Sequence, residues 1–403
     1  PMGTNSWTCG DSPLTSFAAD YREALVGLGY RPGPVEQRLA EMGWLSCWMA
    51  DEGLAVDELT VGRVDEFVDT CAGLGRRIPS RRPLLEVLVV LLRRVGCAPE
   101  AAVAEPTPTE ELLDRYAVYL TRERGLAPST VDRYVRMAKV FLTERAARVG
   151  GTGAEGLEAA DVFTYLLDSC GRLSVASAKR EAGDLRSLLR FLYWDRIIEV
   201  DLGTAMPPLA GWRDTGIPQR VSPVEVRALL DGCDRSRSGG RRDFAILTLV
   251  ARLGLRACEV ARLELDDIDW RAGEIMVRGK GRRVDRLPIP ADVGQALVGY
   301  LQQGRPASNE RHVFLTVRAP HVPIRACLLT KVVYRACGRA GVNRVGPHRL
   351  RHGLAADLLA HGAKLVEVSQ VLRHRDLATT AIYAKVDFVR LAQVAQPWPG
   401  ARR

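Results

Sequence analysis

The hydrophobic period of this chain changes in one place, and that limits what it can fold into. Through most of its length apolar residues recur three and four apart, the pattern of amphipathic helices. From Glu274 to Pro290 the pattern alternates instead, as EIMVRGKGRRVDRLPIP. Gly279-Lys280-Gly281 divides this stretch into two strand-like runs, so it reads as a β-hairpin with a lysine at its tip. The expected class is therefore mainly α, with a small β-sheet confined to the last part of the chain.

Breakpoints divide the helical remainder. A chain of 403 residues suggests about two to four domains. Residues 14–97 read as a first helical bundle, in which Thr60 caps one helix. The run LLEVLVVLLRRVG in this bundle is apolar nearly all round and is expected to be buried. APEAAVAEPTPTE, from Ala98, reads as an extended linker. Residues 109–200 repeat the helix order of the first bundle at a shift of roughly a hundred residues, which reads as an internal duplication. Pro207-Pro208, Gly211, Gly216 and Pro218 mark a second linker. The last domain, 221–403, opens on Ser222-Pro223-Val224-Glu225, a capping box with proline at the first helical position.

Charge bears on partners. The formal net charge is +9, and Arg far outnumbers Lys. That balance favours a polyanion, nucleic acid before an acidic membrane surface, and planar Arg suits bidentate phosphate contacts. In the second bundle Arg133, Arg136, Lys139, Lys179 and Arg180 are interspersed with core positions. On the hairpin Arg278, Arg282 and Arg283 crowd the lysine. These are the candidate DNA-contacting residues; a solvated helix face is the alternative for the first group, and solvated charge for the hairpin arginines. Nine cysteines without a CxxC pair read as reduced, buried thiols, and no zinc-ligand spacing appears. No signal peptide and no membrane-spanning run is read, so a cytoplasmic protein is expected, nucleoid-associated if bacterial.

The polar chemistry concentrates in Pro347 to Lys385, PHRLRHGLAADLLAHGAKLVEVSQVLRHRDLATTAIYAK. His348 and Arg351 share a helix face. His374 follows, and Tyr383 comes nine residues after it. A base, a permanent cation and a phenol suit chemistry on a phosphate: charge for its oxygens, a proton shuttle and an oxygen nucleophile.

Together with Arg256 in GLRACEV and Lys280 at the hairpin tip, these residues form an ordered set. It resembles the catalytic set of the tyrosine site-specific recombinases (integrases). The resemblance covers Ser222 to Lys385, and residues 109–200 look like the core-binding domain of that family. It implies metal-independent DNA cleavage and rejoining through a 3′-phosphotyrosine link, with no cofactor and no metal. Tyr383 would be the nucleophile and Lys280 the proton donor to the 5′ oxygen. Arg256 and Arg351 would hold the phosphate, with His348 as acid/base and His374 as a hydrogen-bonding partner. Glu259 is expected to orient Arg256. The implied partners are double-stranded DNA with inverted half-sites and further copies of the chain, a dimer on each site and a tetramer in synapsis. The family's apolar C-terminal tail packs on a neighbouring subunit. A mobile-element integrase or transposase is the expected role. A type IB topoisomerase and a non-catalytic DNA-binding regulator are the alternatives. One position departs from the family pattern: Arg373 stands where Gly usually precedes the second His, and it is read as an added phosphate contact or a shift of the turn.

Overall fold

A computed structural model of the chain describes residues 12–73, 83–97, 106–206, 221–279, 283–374 and Thr380. Its contacts divide it into two units: Pro1–Glu100 with Gly216–Arg403, and Ala101–Thr215.

The first unit begins with four helices, α1 (Ala18–Gly27), α2 (Pro32–Asp51), α3 (Val61–Gly73) and α4 (Pro83–Arg94). Tyr21, Leu25, Leu45, Met49 and Phe67 form their fully buried centre. Thr60 caps α3, its hydroxyl accepting the Arg63 N–H at 3.3 Å. The expectation of an all-round buried helix is corrected at α4. Leu88, Val89 and Leu92 are buried, but Val90 is 47% exposed. The helix packs by one face, so the outward Val90 remains in water.

The second unit holds α5 (Pro108–Arg122), α6 (Pro128–Val149), α7 (Ala159–Arg172), α8 (Val175–Trp194) and the short α9 (Leu202–Ala205). Tyr116, Phe141, Leu185 and Leu192 lie in its core, with the Tyr116 and Phe191 rings 5.0 Å apart. A capping box starts α5: Thr107 Oγ1 accepts the Glu110 N–H, and Glu110 accepts that of Thr107. Arg145, buried on α6, donates to the carbonyls of Gly153, Glu155 and Gly156 and so holds the following loop against the helix.

The remainder of the first unit carries α10 (Pro223–Asp231), α11 (Ser238–Leu253), α12 (Ala257–Ala261), β1 (Ile268–Asp269), β2 (Glu274–Arg278), β3 (Val284–Pro288), α13 (Ala291–Gln303), α14 (Ala326–Ala340), α15 (Pro347–Ala360) and α16 (Leu365–Leu372). The Ser222–Glu225 capping box forms as expected. The small sheet is antiparallel in the order β1-β2-β3, and Ile275 faces Leu287 across the hairpin. The third strand, β1, adds to the expected hairpin; two residues are too few to show an alternation. Helix α11 is the centre of the core, with Ala245, Ile246, Leu247, Leu249 and Val250 all buried. Helix α15 lies close to the chain at Val221, because a Cβ on Gly353 would meet the Val221 carbonyl at 2.7 Å. These contacts fix the two ends from which the site is built: the α11–α12 turn and the start of α15.

Candidate active site and nucleic-acid interface

Glu259 is the hub. It lies on α12 with its side chain 1% exposed, and it receives three donors. One oxygen accepts the Arg256 backbone N–H at 2.8 Å and Arg373 Nη2 at 2.8 Å; the other accepts Arg256 Nη1 at 2.7 Å. Burial alone would raise the carboxyl's pKa. The Arg256 N–H, the Arg373 charge and the Arg256 guanidinium outweigh it and hold the group below the ordinary range. Arg256, at the N-cap of α12, keeps 30% of its side chain exposed. It is thus an oriented cation that still reaches solvent.

Arg373 points inward. Its side chain is 3% exposed, which corrects the expectation of a phosphate contact. It ends α16 in the left-handed region, at φ 54°, a conformation that costs a non-glycine residue about 1–2 kcal/mol. That turn sends the guanidinium toward Glu259, and Nη1 also approaches the Leu253 and Val371 carbonyls at 3.5 and 3.4 Å. Burial lowers its pKa, while the Glu259 charge opposes the shift.

Arg351 is buried as well, at 4% exposure. It donates from Nη1 to the Gly254 carbonyl and from Nη2 to the Leu372 carbonyl. Gly254 ends α11 at φ 59°, and a Cβ there would come within 2.9 Å of Leu372 Cδ2. Glycine is therefore required where the two helix ends meet, and the turn aims its carbonyl at Arg351. One guanidinium ties the ends of α11 and α16 to the start of α15.

Three imidazoles border these cations. His348 is solvent-exposed, yet desolvation by the surrounding protein and the charges of Arg351 and Arg256 lower its pKa, with Glu259 opposing. His352, one turn on, is lowered by burial and then by His348, Arg349 and Arg351. His374 is lowered furthest, to about 4, by burial and by Arg351, Arg256, His352 and Arg373. It is neutral at pH 7. Its Nδ1 lies 2.8 Å from the hydroxyl of Thr380, which is fully buried. Sequence reading missed Thr380, since a threonine three residues before a tyrosine carries no chemical signature.

The hairpin approaches the same hub. Gly279 donates its N–H to the Arg283 carbonyl at 2.8 Å, and a Cβ on Gly279 would lie 3.9 Å from Glu259 Oε1. The hairpin arginines within the described residues are already paired. Arg278 donates to Asp267 at 2.6 Å, Arg283 to Asp285 at 2.8 Å, and Arg286 stands 3.6 Å from Glu274. Lys280, Arg282 and Tyr383, together with the C-terminal tail, lie outside the described residues.

In the second unit, Arg133, Arg136 and Arg180 line one open concavity of about 330 Å³ between α6, α7 and α8. Arg133 is committed to Asp184 and sits over the Tyr134 ring at 4.5 Å. Arg136 and Arg180 are exposed. Lys139 is 3.5 Å from Glu110, and Lys179 is half-buried.

The class that follows is a mainly helical protein with a small antiparallel sheet, whose charged site suits displacement at a phosphodiester. Comparison with known proteins gives the family. The phage integrase family model matches residues 219–390, and the model of the phage integrase N-terminal SAM-like domain matches residues 113–196. The putative integrase/recombinase y4rA of Sinorhizobium fredii is 35% identical, over 97% of this chain and 96% of its own length. Tyrosine recombinase XerD of Mycobacterium tuberculosis is 32% identical, over 72% of this chain and 96% of its own length. The solved structure of XerH site-specific recombinase in a post-cleavage complex with a palindromic difH substrate shares the fold, with a TM-score of 0.53 and 20% identity over 73% of this chain and 98% of that one. The chain belongs to the phage integrase family of tyrosine recombinases and is a DNA strand transferase. Both family models lie C-terminal to residue 112.

Proposed function

We propose that this enzyme cuts and rejoins DNA at specific sites with Arg256, Lys280, His348, Arg351, His374 and Tyr383, probing the scissile phosphate through one cationic pocket. The observation that carries this reading is the convergence of three distant segments on Glu259 and Arg351. The α11–α12 turn, the start of α15 and the end of α16 are held together by the guanidinium groups of Arg256, Arg351 and Arg373. Tyr383 Oη attacks phosphorus, its proton passing to His348. The bond from phosphorus to the 5′ oxygen breaks, and Lys280 protonates that oxygen. Arg256 and Arg351 stabilise the charge gathered on the non-bridging oxygens, and neutral His374 donates a hydrogen bond to one of them. Attack on the 3′-phosphotyrosine by a partner strand's 5′ hydroxyl reverses the steps and releases the tyrosine.

The chain's domains are read as 14–97, 109–200 and 221–403, supported by separate hydrophobic centres, the second of which runs on to Met206. Arg136 and Arg180, with Arg133 beside them, supply phosphate contacts from the second bundle. The palindromic substrate of XerH supports binding to inverted half-sites by a dimer, and pairing of two such dimers gives a tetrameric synapse. A mobile element is the favoured setting, in keeping with the likeness to a putative integrase/recombinase, and the cytoplasm, at the nucleoid, is the compartment that fits this substrate.

The test is a nicked duplex of a sequence that the protein itself selects from a random pool. Loss of the short fragment below the nick traps the covalent link. The full chain is expected to form a protein–DNA adduct without added metal, and Tyr383→Phe to form none. A wild-type protein that binds the selected duplex and never links to it contradicts the proposal and favours a DNA-binding regulator.

A further inference from the structure

We infer that Arg373 is a positioning residue: it serves as the inner counter-ion of Glu259, so that Arg256 keeps its outward geometry for the scissile phosphate. The inference rests on the role proposed for Arg256.

A carboxylate that is 1% exposed needs charged or hydrogen-bonding partners. Glu259 has two guanidinium groups within 2.8 Å and no solvent. With Arg256 as its only cation, the pair would be neutral, and the full attraction of a buried carboxylate would fall on the one group that must also bind phosphate. With Arg373 present, the three side chains together carry one net positive charge. The division is spatial too. Arg373 is 3% exposed and Arg256 30%. The inner guanidinium satisfies Glu259; the outer one is shared between Glu259 and solvent.

The backbone supports this assignment. Residue 373 occupies the left-handed region at φ 54°, where glycine is the unstrained choice. An arginine there accepts a conformational cost and buries a charge. Its other neighbours are weak: carbonyls at 3.4 and 3.5 Å, and Asp285 Oδ2 at 4.0 Å from Nε, while Oδ1 of Asp285 is held by Arg283. The strong contact is the one to Glu259. The lowered carboxyl pKa of Glu259, to which the Arg373 charge contributes, is consistent with that pairing.

The experiment measures two quantities on the self-selected nicked duplex with the full chain: the dissociation constant, and the rate of adduct formation at saturating protein. Arg373→Gly suits the backbone and removes the cation. It is expected to slow adduct formation about 10- to 100-fold while the dissociation constant changes by less than about threefold. Arg373→Lys restores a point charge and recovers part of the rate. The decisive variant is the double change Arg373→Gly with Glu259→Gln. It removes the carboxylate that Arg373 neutralises, so its rate should exceed that of Arg373→Gly alone. A merely structural Arg373 would give a double variant slower than either single one. The inference is overturned if Arg373→Gly is as fast as wild type, or if the double variant shows no recovery. Arg256→Ala separates this from the underlying reading. If Arg256→Ala is inert and Arg373→Gly is not slowed, the inference alone falls; if Arg256→Ala is as fast as wild type, the proposed role of Arg256 falls and the inference with it.

Discussion

The Thr380 hydroxyl lies 2.8 Å from Nδ1 of His374. His374 is neutral at pH 7 because its pKa is pushed down to about 4, so it carries one ring proton. For that proton to sit on Nε2, where a neutral imidazole can donate to phosphate, Nδ1 must accept from Thr380. A Thr380 hydroxyl that donates to Nδ1 supports the tautomer the proposed chemistry uses.

Replacing Thr380 by Val keeps the shape and removes the hydroxyl. Adduct formation should slow about tenfold or more, with little change in DNA affinity, and Thr380→Ser should recover most of the rate. Equal rates for the Val and wild-type proteins in a trapping time course would remove Thr380 from the account.

The acid limb of activity should lie lower than an ordinary imidazole would place it. His348, His352 and His374 all titrate below 6.5 in the folded protein, so the acid limb of the single-turnover rate lies below that value. The same shifts affect stability. The unfolded chain binds protons at these positions before the folded one does, so stability is full above pH 6.5 and falls as pH drops toward 4. Melting temperature measured against pH should show this slope, and His374→Gln should make it shallower.

Arg351 has a structural duty apart from any contact with DNA. Arg351→Ala leaves the Gly254 and Leu372 carbonyls without these donors, at a cost of about 1–3 kcal/mol for each buried group. Urea unfolding should register that loss in the absence of DNA. Gly254→Ala should also destabilise, since it combines φ 59° with a Cβ 2.9 Å from Leu372.

Arg136 and Arg180 are exposed around one concavity and should act as sequence-independent phosphate contacts. Each Ala substitution should weaken binding to all duplexes alike and lower the slope of log affinity against log salt by about 1. Arg133→Ala should change that slope less, because its guanidinium is committed to Asp184. Salt titrations of the three variants separate the two roles.

The legible parts of the molecule were those written in local spacing. His348 and Arg351 sit three apart on one helix, and the hairpin announces itself by a change of period. Strand β1 stayed hidden, because two residues make no pattern. The inward course of Arg373 depends on a left-handed turn and on a carboxylate 114 residues earlier, neither of which spacing reveals. The pairing of Arg278 with Asp267 is likewise a tertiary fact: its acid comes from the turn before the sheet, while Arg283 and Arg286 pair with Asp285 and Glu274 on the hairpin itself. Glu259 was legible as a partner for Arg256 because it lies one helical turn away; its service to both arginines was not.

In the proposed reaction DNA becomes joined to Tyr383. The most direct measurement is peptide mapping of the trapped adduct after nuclease and protease digestion. The account predicts a nucleotide remnant linked through phosphate to Tyr383 and to none of the other nine tyrosines of the chain. A remnant on any other residue would contradict it.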